Sequence, residues 1–340
     1  MAVKSMKILI LRLSSIGDIL LSSPFIRQVR TAYPDAQVDF VIKEQFHDLV
    51  RYNPHLNNIY LVKPDQGRAG LKELRAGLIR KNYSCIFDLH NNFRTRYLTA
   101  SLTADYKNKI RKDKFKRALL VYFKINNYKE VTAIPERYLK VSGPNNIVDD
   151  GLGLEIFWND QHESAVSKLA AEKDLGKDYT ALAPAASFFT KSWPAESYQE
   201  LIKKICTHSS NKIVLLGGPQ DKEYLDGLVL SDQVVNLAGL TGILESAVVL
   251  SRAKAVVSND SGLMHLAAAV KTPVLAIFGS TVKELGFFPY RAESTVIENN
   301  EIKCRPCSHV GRRECPKKHF KCMTEILPET VFSRLREYLV

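Results

Sequence analysis

Short apolar runs bounded by turn residues recur along this chain. Most are followed by segments whose apolar positions return every three or four residues. Residues 7–13 read as a buried strand and 18–33 as an amphipathic helix that stops before Pro34. Residues 37–42 and 58–62 are further strands, 71–80 a basic helix, and 84–89 another buried strand. A helix over 135–141 ends near Gly143 and Pro144, and 143–153, rich in Gly, Pro, Asn and Asp, reads as a linker. A second alternation follows, with strands over 179–183, 212–216, 234–237, 255–258 and 274–278. Its helices cover 195–206, 243–252 and 329–339. Two successive alternations of similar size predict an α/β protein of two doubly wound, Rossmann-like domains facing a central cleft. The expected division is 1–150, 151–325, and a terminal helix over 326–340 that can pack back on the first domain.

A length of 340 residues suits two domains. No stretch approaches the roughly 20 apolar residues that span a bilayer. The opening apolar run, interrupted by Arg12, is too short for a signal-peptide core, so a cytoplasmic protein is expected. The net charge of +12 calls for an anionic partner. It is concentrated at Lys107, Lys109, Arg111, Lys112, Lys114, Lys116 and Arg117, opposed there only by Asp113. That run reads either as a solvated face or as a surface for phosphates.

The densest chemical signal is Ser258-Asn259-Asp260-Ser261-Gly262-Leu263-Met264-His265, between an apolar run and an alanine-rich segment. It reads as strand, tight turn and helix. Asp260 or Ser261 would cap that helix, Gly262 would let a ligand approach, and the free N–H groups and dipole would hold a diphosphate. His265, about one turn on, would face the same ligand.

Three other loops follow predicted strands. Ser14, Ser15, Gly17 and Asp18 follow the first, where Asp18 either faces the cleft or only complements its helix dipole. Thr190 and Lys191 enter the helix at Trp193-Pro194, and Lys191 can bind phosphate as a point charge. Asp221, after Gly217-Gly218-Pro219, can accept ribose hydroxyls or be a solvated turn residue. All lie at carboxyl ends of predicted parallel strands, and that convergence outweighs any single member.

Cys304, Cys307, Cys315 and Cys322 cluster near the C-terminus, with His309 and His319 between them. They read as reduced thiols packing a loop or as ligands of a structural zinc. A nicotinamide dehydrogenase lacks its G-x-G-x-x-G fingerprint here, and the basic run lacks the interleaved aromatic stacking of a nucleic-acid binder.

On Ser14 to Asp18, Lys191 to Pro194, Gly217 to Pro219, Ser258 to Ala269 and the cysteine tail, the chain resembles the ADP-heptose:lipopolysaccharide heptosyltransferases. These are family 9 glycosyltransferases of the two-domain GT-B fold, and the tail looks more like the second heptosyltransferase than the first. The resemblance implies Asp18 as catalytic base, near Ser14, Ser15 and Gly17. It implies donor binding by Thr190, Lys191, Asp221, Asp260, Ser261, Gly262 and His265, and an acceptor contact at Arg137. By charge, Arg94, Arg96 and Lys112 would meet the phosphates of a lipid A–core acceptor. The implied reaction is inverting heptose transfer from ADP-heptose to the lipopolysaccharide inner core, with no cofactor and no catalytic metal. It would run on the cytoplasmic side, peripheral to the inner membrane, with no nucleic-acid partner. The alternatives are a glycosyltransferase using another nucleotide sugar and a non-catalytic sugar-nucleotide binder, which would not need Asp18. Ser261 in place of a common threonine, Ser280 in place of proline, and Asp221 in place of a longer glutamate are departures from the family pattern.

Overall fold

A computed structural model describes residues 6–339. The chain divides into two compact units: Met1–Lys112 with Ile134–Phe157, and Asp113–Ala133 with Trp158–Val340.

The first unit opens with β1 (Lys7–Leu11), α1 (Ile16–Leu20), α2 (Ser23–Ala32), β2 (Gln37–Lys43) and β3 (Asn58–Val62). It continues with α3 (Gly67–Ile79), β4 (Cys85–Asp88), α4 (Phe93–Thr99) and β5 (Tyr106–Lys109). The helix expected over 18–33 is two helices, because Pro24 enters α2 without an N–H to give. The hydroxyls of Ser22 and Ser23 close the break by donating to the Ile19 and Leu20 carbonyls at 2.6 and 2.7 Å. All five strands are parallel, in the order β3-β2-β1-β4-β5. The sequence pattern missed β5, Tyr-Lys-Asn-Lys, because an edge strand half in water needs no apolar run, and its lysines discourage further pairing.

The next helix, α5 (Lys114–Ala118), runs on into a π-helical turn (Leu119–Phe123) and belongs with the second unit. Then α6 (Ile134–Leu139) returns the chain to the first unit. The stretch expected as linker stays with that unit, which ends at Phe157 rather than 150. Arg27 holds it there, pairing with Asp150 and Glu155 at 2.7 Å each and donating to the Gly153 carbonyl at 3.1 Å.

The second unit continues with α7 (Asp160–Glu172), β6 (Tyr179–Ala183), α8 (Ala195–His208), β7 (Lys212–Leu215) and α9 (Lys222–Asp226). Then come β8 (Val234–Asn236), α10 (Ile243–Ser251), β9 (Val256–Asn259), α11 (Gly262–Ala269), β10 (Val274–Phe278) and β11 (Ser294–Glu298). It closes with α12 (Lys321–Thr324) and α13 (Pro328–Leu335). Its parallel sheet has the order β11-β10-β9-β6-β7-β8. The terminal helix is part of this second unit. Ile326, Val331, Phe332 and Leu335 join a core with Trp193, Leu201 and Ile205. Trp193 Nε1 donates to the Ile326 carbonyl at 3.0 Å.

In each sheet the chain builds outward on one side and then crosses to the other. The first sheet changes direction between β1 and β4, the second between β6 and β9. At such a switch point neighbouring loops diverge and leave a crevice beyond the carboxyl ends of the strands.

Candidate active site

At the first switch point the loop after β1 carries Arg12 and Asp18. Asp18 sits in the first turn of α1, where Ser15 N–H and Oγ–H donate to its Oδ2 at 3.2 and 2.9 Å. Its Oδ1 pairs with Arg12 at 2.5 Å, and its side chain keeps 20% of its exposure. Burial pushes this carboxyl up, but Arg12 and the Ser15 hydrogen bonds outweigh it and hold it below the usual carboxylate range. Asp18 is therefore an ionised carboxylate with solvent access. Ser15 is its partner, Ser14 is partly exposed beside it, and Gly17 lies within α1.

Arg12 is fixed from several sides. It donates to the Leu89 carbonyl at 2.7 Å and lies 5.7 Å from the centre of the buried Tyr138 ring on α6. The loop after β4 supplies His90, whose Nδ1 accepts the Leu13 N–H at 3.2 Å. The imidazole proton is thus on Nε2. Burial, with Arg12 and Lys112 nearby, lowers the His90 pKa to about 3, so the ring is neutral. Asp88 closes this loop by accepting the His90 and Asn91 N–H groups at 2.9 and 2.7 Å. The pattern of residues missed Arg12, His90 and Tyr138. The one available signal was an arginine interrupting the apolar run of β1.

The expected acceptor residues fall in this unit. Lys112 and Arg137 are within electrostatic reach of His90 and Tyr138 respectively. Arg94 is exposed on α4. Arg96 donates to Asn91 at 2.9 Å and, with Asp88, Lys107 and Lys109, lines a cavity of about 420 Å³ beside β4 and β5.

At the second switch point α11 begins at Gly262 with Ser261 in extended backbone as its cap residue, so its first N–H groups face the crevice beyond β9. Ser261 Oγ lies 3.3 Å from Ser258 Oγ. Lys191 Nζ pairs with Asp260 at 2.8 Å, and Thr281 donates to the same carboxylate oxygen at 2.6 Å. Asp260 is 5% exposed and positions Lys191. An ammonium has three N–H bonds, so this pairing leaves others for an anion. Thr190 is buried. Its hydroxyl accepts the Arg312 N–H at 2.8 Å, and its own N–H donates to the Arg312 carbonyl at 3.2 Å, which seats the cysteine-bearing tail against the Lys191 loop. His265, within α11, is 3% exposed.

Asn259, the last residue of β9, is a further residue the motif reading missed. Its side chain accepts from Trp193 N–H and Tyr198 OH at 3.1 and 3.3 Å and donates to the Pro184 carbonyl at 2.5 Å. It ties together the loops on both sides of the switch. Asp221 lies after β7, where its Oδ2 accepts from the Gly218 N–H at 2.8 Å and Gln220 at 3.2 Å, so one oxygen closes its own turn.

In the tail, Arg305 donates to the carbonyls of Gly279, Asn299 and Thr281 and pairs with Glu298 at 2.6 Å, clamping the carboxyl ends of β10 and β11. All four tail cysteines are free thiols. Cys322 lies in the core, where burial and the other three sulfurs push its thiol up to about 12. Among the described residues no three His, Cys, Asp or Glu side chains converge as a metal-holding group, and Cys304 lies 3.7 Å from His319.

The sequence profile of glycosyltransferase family 9 (heptosyltransferase) matches residues 71–319. This chain belongs to glycosyltransferase family 9. A curated relative, lipopolysaccharide heptosyltransferase 1 of Pseudomonas aeruginosa, is 24% identical over 98% of both chains. Relatives named as types 1, 2 and 3 share 24%, 26% and 27% identity, so the likeness does not single out one type. A solved family 9 glycosyltransferase from Veillonella parvula superimposes with a TM-score of 0.82 at 21% identity, covering 100% of this chain and 98% of that one. The Escherichia coli heptosyltransferase WaaC, solved with ADP, gives 0.72 at 22%, covering 98% and 100%. The family 9 chain is thus an α/β glycosyltransferase of the GT-B fold, in the family of the lipopolysaccharide heptosyltransferases. No helix among its described residues is long and apolar enough to cross a membrane.

Proposed function

We propose that this family 9 enzyme transfers heptose from ADP-heptose to a phosphorylated Kdo/heptose–lipid A acceptor of the lipopolysaccharide inner core, with inversion. The observation that carries the reading is Asp18: ionised, solvent-reachable, and placed at the carboxyl end of β1 at a strand switch. ADP is seen bound to a heptosyltransferase of the same fold.

An acceptor hydroxyl attacks the anomeric carbon while the bond to the diphosphate oxygen breaks. The hydroxyl becomes acidic only as it bonds to carbon, so a carboxylate of low basicity suffices when proton transfer comes late. Asp18 takes the proton. The departing diphosphate gains charge, and Lys191 with the amides at the start of α11 stabilises it from fixed positions. Asp221 offers its second oxygen to the ribose hydroxyls. These groups themselves supply the charge neutralisation that transfer needs. Arg94, Arg96, Lys112 and Arg137 would meet the acceptor's phosphates at the cytoplasmic face of the inner membrane.

The test is ADP release from ADP-heptose, with and without a Kdo-containing lipid A acceptor, for the wild type and Asp18→Asn. The expected result is acceptor-dependent release that falls by about 10²–10⁴ in the variant while ADP still binds. Tight ADP binding with no release on any acceptor would overturn the heptose reading. Unaltered turnover in Asp18→Asn would remove Asp18 as base.

A further inference from the structure

The segment 113–133 is explained neither by the donor site nor by the Asp18 site. It carries five cations against two carboxylates. Its inner residues, Leu120 and Val121, are buried. Lys124 donates to the carbonyls of Val121 and Pro306 at 2.7 Å each, and Asn126 donates to Glu284 at 3.2 Å. The segment is thus anchored on the second unit. Its outer residues are large and apolar: Phe115, Tyr122, Phe123 and Ile125 are 75%, 71%, 69% and 52% exposed.

We propose that this segment is a docking wedge for a bilayer bearing anionic headgroups. Anchored aromatic side chains standing in water carry a solvation cost that a monomer rarely tolerates in one place. Lysines set among them match the interfacial pattern, in which ring bodies enter the headgroup–acyl boundary and ammonium groups meet lipid phosphates. Lys114, Lys116, Lys124 and Lys129 are exposed cations of the segment, and Lys124 is the one turned onto the two carbonyls. Charge also argues against a second copy as occupant, since a two-fold pairing of this face would bring lysines against lysines. The inference deepens the proposed function, resting on it for the lipid-anchored acceptor: the wedge keeps the enzyme on the surface where that acceptor lies.

The test is co-sedimentation of the full chain with sugar-free vesicles of phosphatidylcholine alone or mixed with phosphatidylglycerol. The wild type is expected to bind the mixed vesicles, and increasingly so as salt is lowered. Phe115→Ser/Tyr122→Ser/Phe123→Ser should lower the partition coefficient about tenfold or more with ADP binding unchanged. Lys114→Gln and Lys116→Gln should lower it about fivefold each. Equal binding by the aromatic variant, or a wild type indifferent to anionic lipid, would overturn the wedge. Wild-type self-association abolished by the same substitutions would overturn it too and assign the face to a second copy. The vesicles hold neither donor nor acceptor, so failure here is distinct from failure of the transferase reading, which ADP release on a delipidated acceptor reports.

Discussion

Arg12→Met removes the cation that holds Asp18 ionised while keeping most of the side chain's length. Arg12 meets Asp18 at 2.5 Å and the Leu89 carbonyl at 2.7 Å beside the Tyr138 ring. Taking one partner from a buried ion pair costs about 3–5 kcal/mol, because the other is left desolvated. Asp18 keeps 20% of its side-chain exposure, so water offsets part of the loss and about 3 kcal/mol is expected. That lowers the melting temperature by about 6–12 °C. The pH dependence is more specific. In the wild type the Asp18 carboxyl lies below its ordinary value, so its contribution is present above about pH 4 and is lost as pH falls through the depressed value. In the variant, burial, the largest influence on this carboxyl, loses its main opponent and raises it above the ordinary range. The folded variant then holds the Asp18 proton more tightly than the unfolded chain does. It regains stability as pH falls from neutral, and the gap to wild type narrows in acid. The acid limb of ADP release should move upward at the same time. Calorimetric melting between about pH 5 and 8, with a pH profile of turnover, reads both. An equal stability gap across that range, or an unmoved acid limb in a folded variant, would refute the assignment of Arg12.

Lys191→Ala should weaken ADP binding by about 10- to 150-fold, the worth of a charge-assisted hydrogen bond, while vesicle binding stays unchanged; calorimetric titration with ADP reads it. Arg27→Ala should destabilise the first unit by about 1–3 kcal/mol, less than a fully buried pair because both carboxylates keep 19% exposure. Asp150 is held below its ordinary value, burial being outweighed by Arg27 and the Leu152 N–H, so that stabilisation is present above about pH 4 and fades below it. Denaturant unfolding at about pH 7 and 3 checks the direction.

Much of the second unit was legible because fully buried parallel strands read as unbroken apolar runs. The strands over 179–183 and 274–278 have the bounds that their apolar runs predicted. The elements that escaped have other reasons for existing. β5 is an edge strand without an apolar run, and the Arg27 clamp that extends the first unit to Phe157 is made by residues more than 120 apart. The Lys191 and α11 loops were visible because glycine and small hydroxyl residues at strand ends are local signals. The partners that define their roles were not visible. The sequence did not show that Asp260 pairs with Lys191 and accepts from Thr281.

From sequence alone came the α/β class, the pairing of two doubly wound units, and Lys191 and the start of α11 as candidate anion contacts, each from hydrophobic period or turn chemistry, which are properties of neighbours along the chain. Asp18 as candidate base came from the family resemblance, since its turn alone left two readings open. The state of those points was decided only by tertiary structure. Asp18 is ionised because Arg12 is turned onto it, and Arg12 is held by a carbonyl from the loop after β4 and a ring from α6. A charge's energy depends on distance and burial, and both are set by which strands lie side by side.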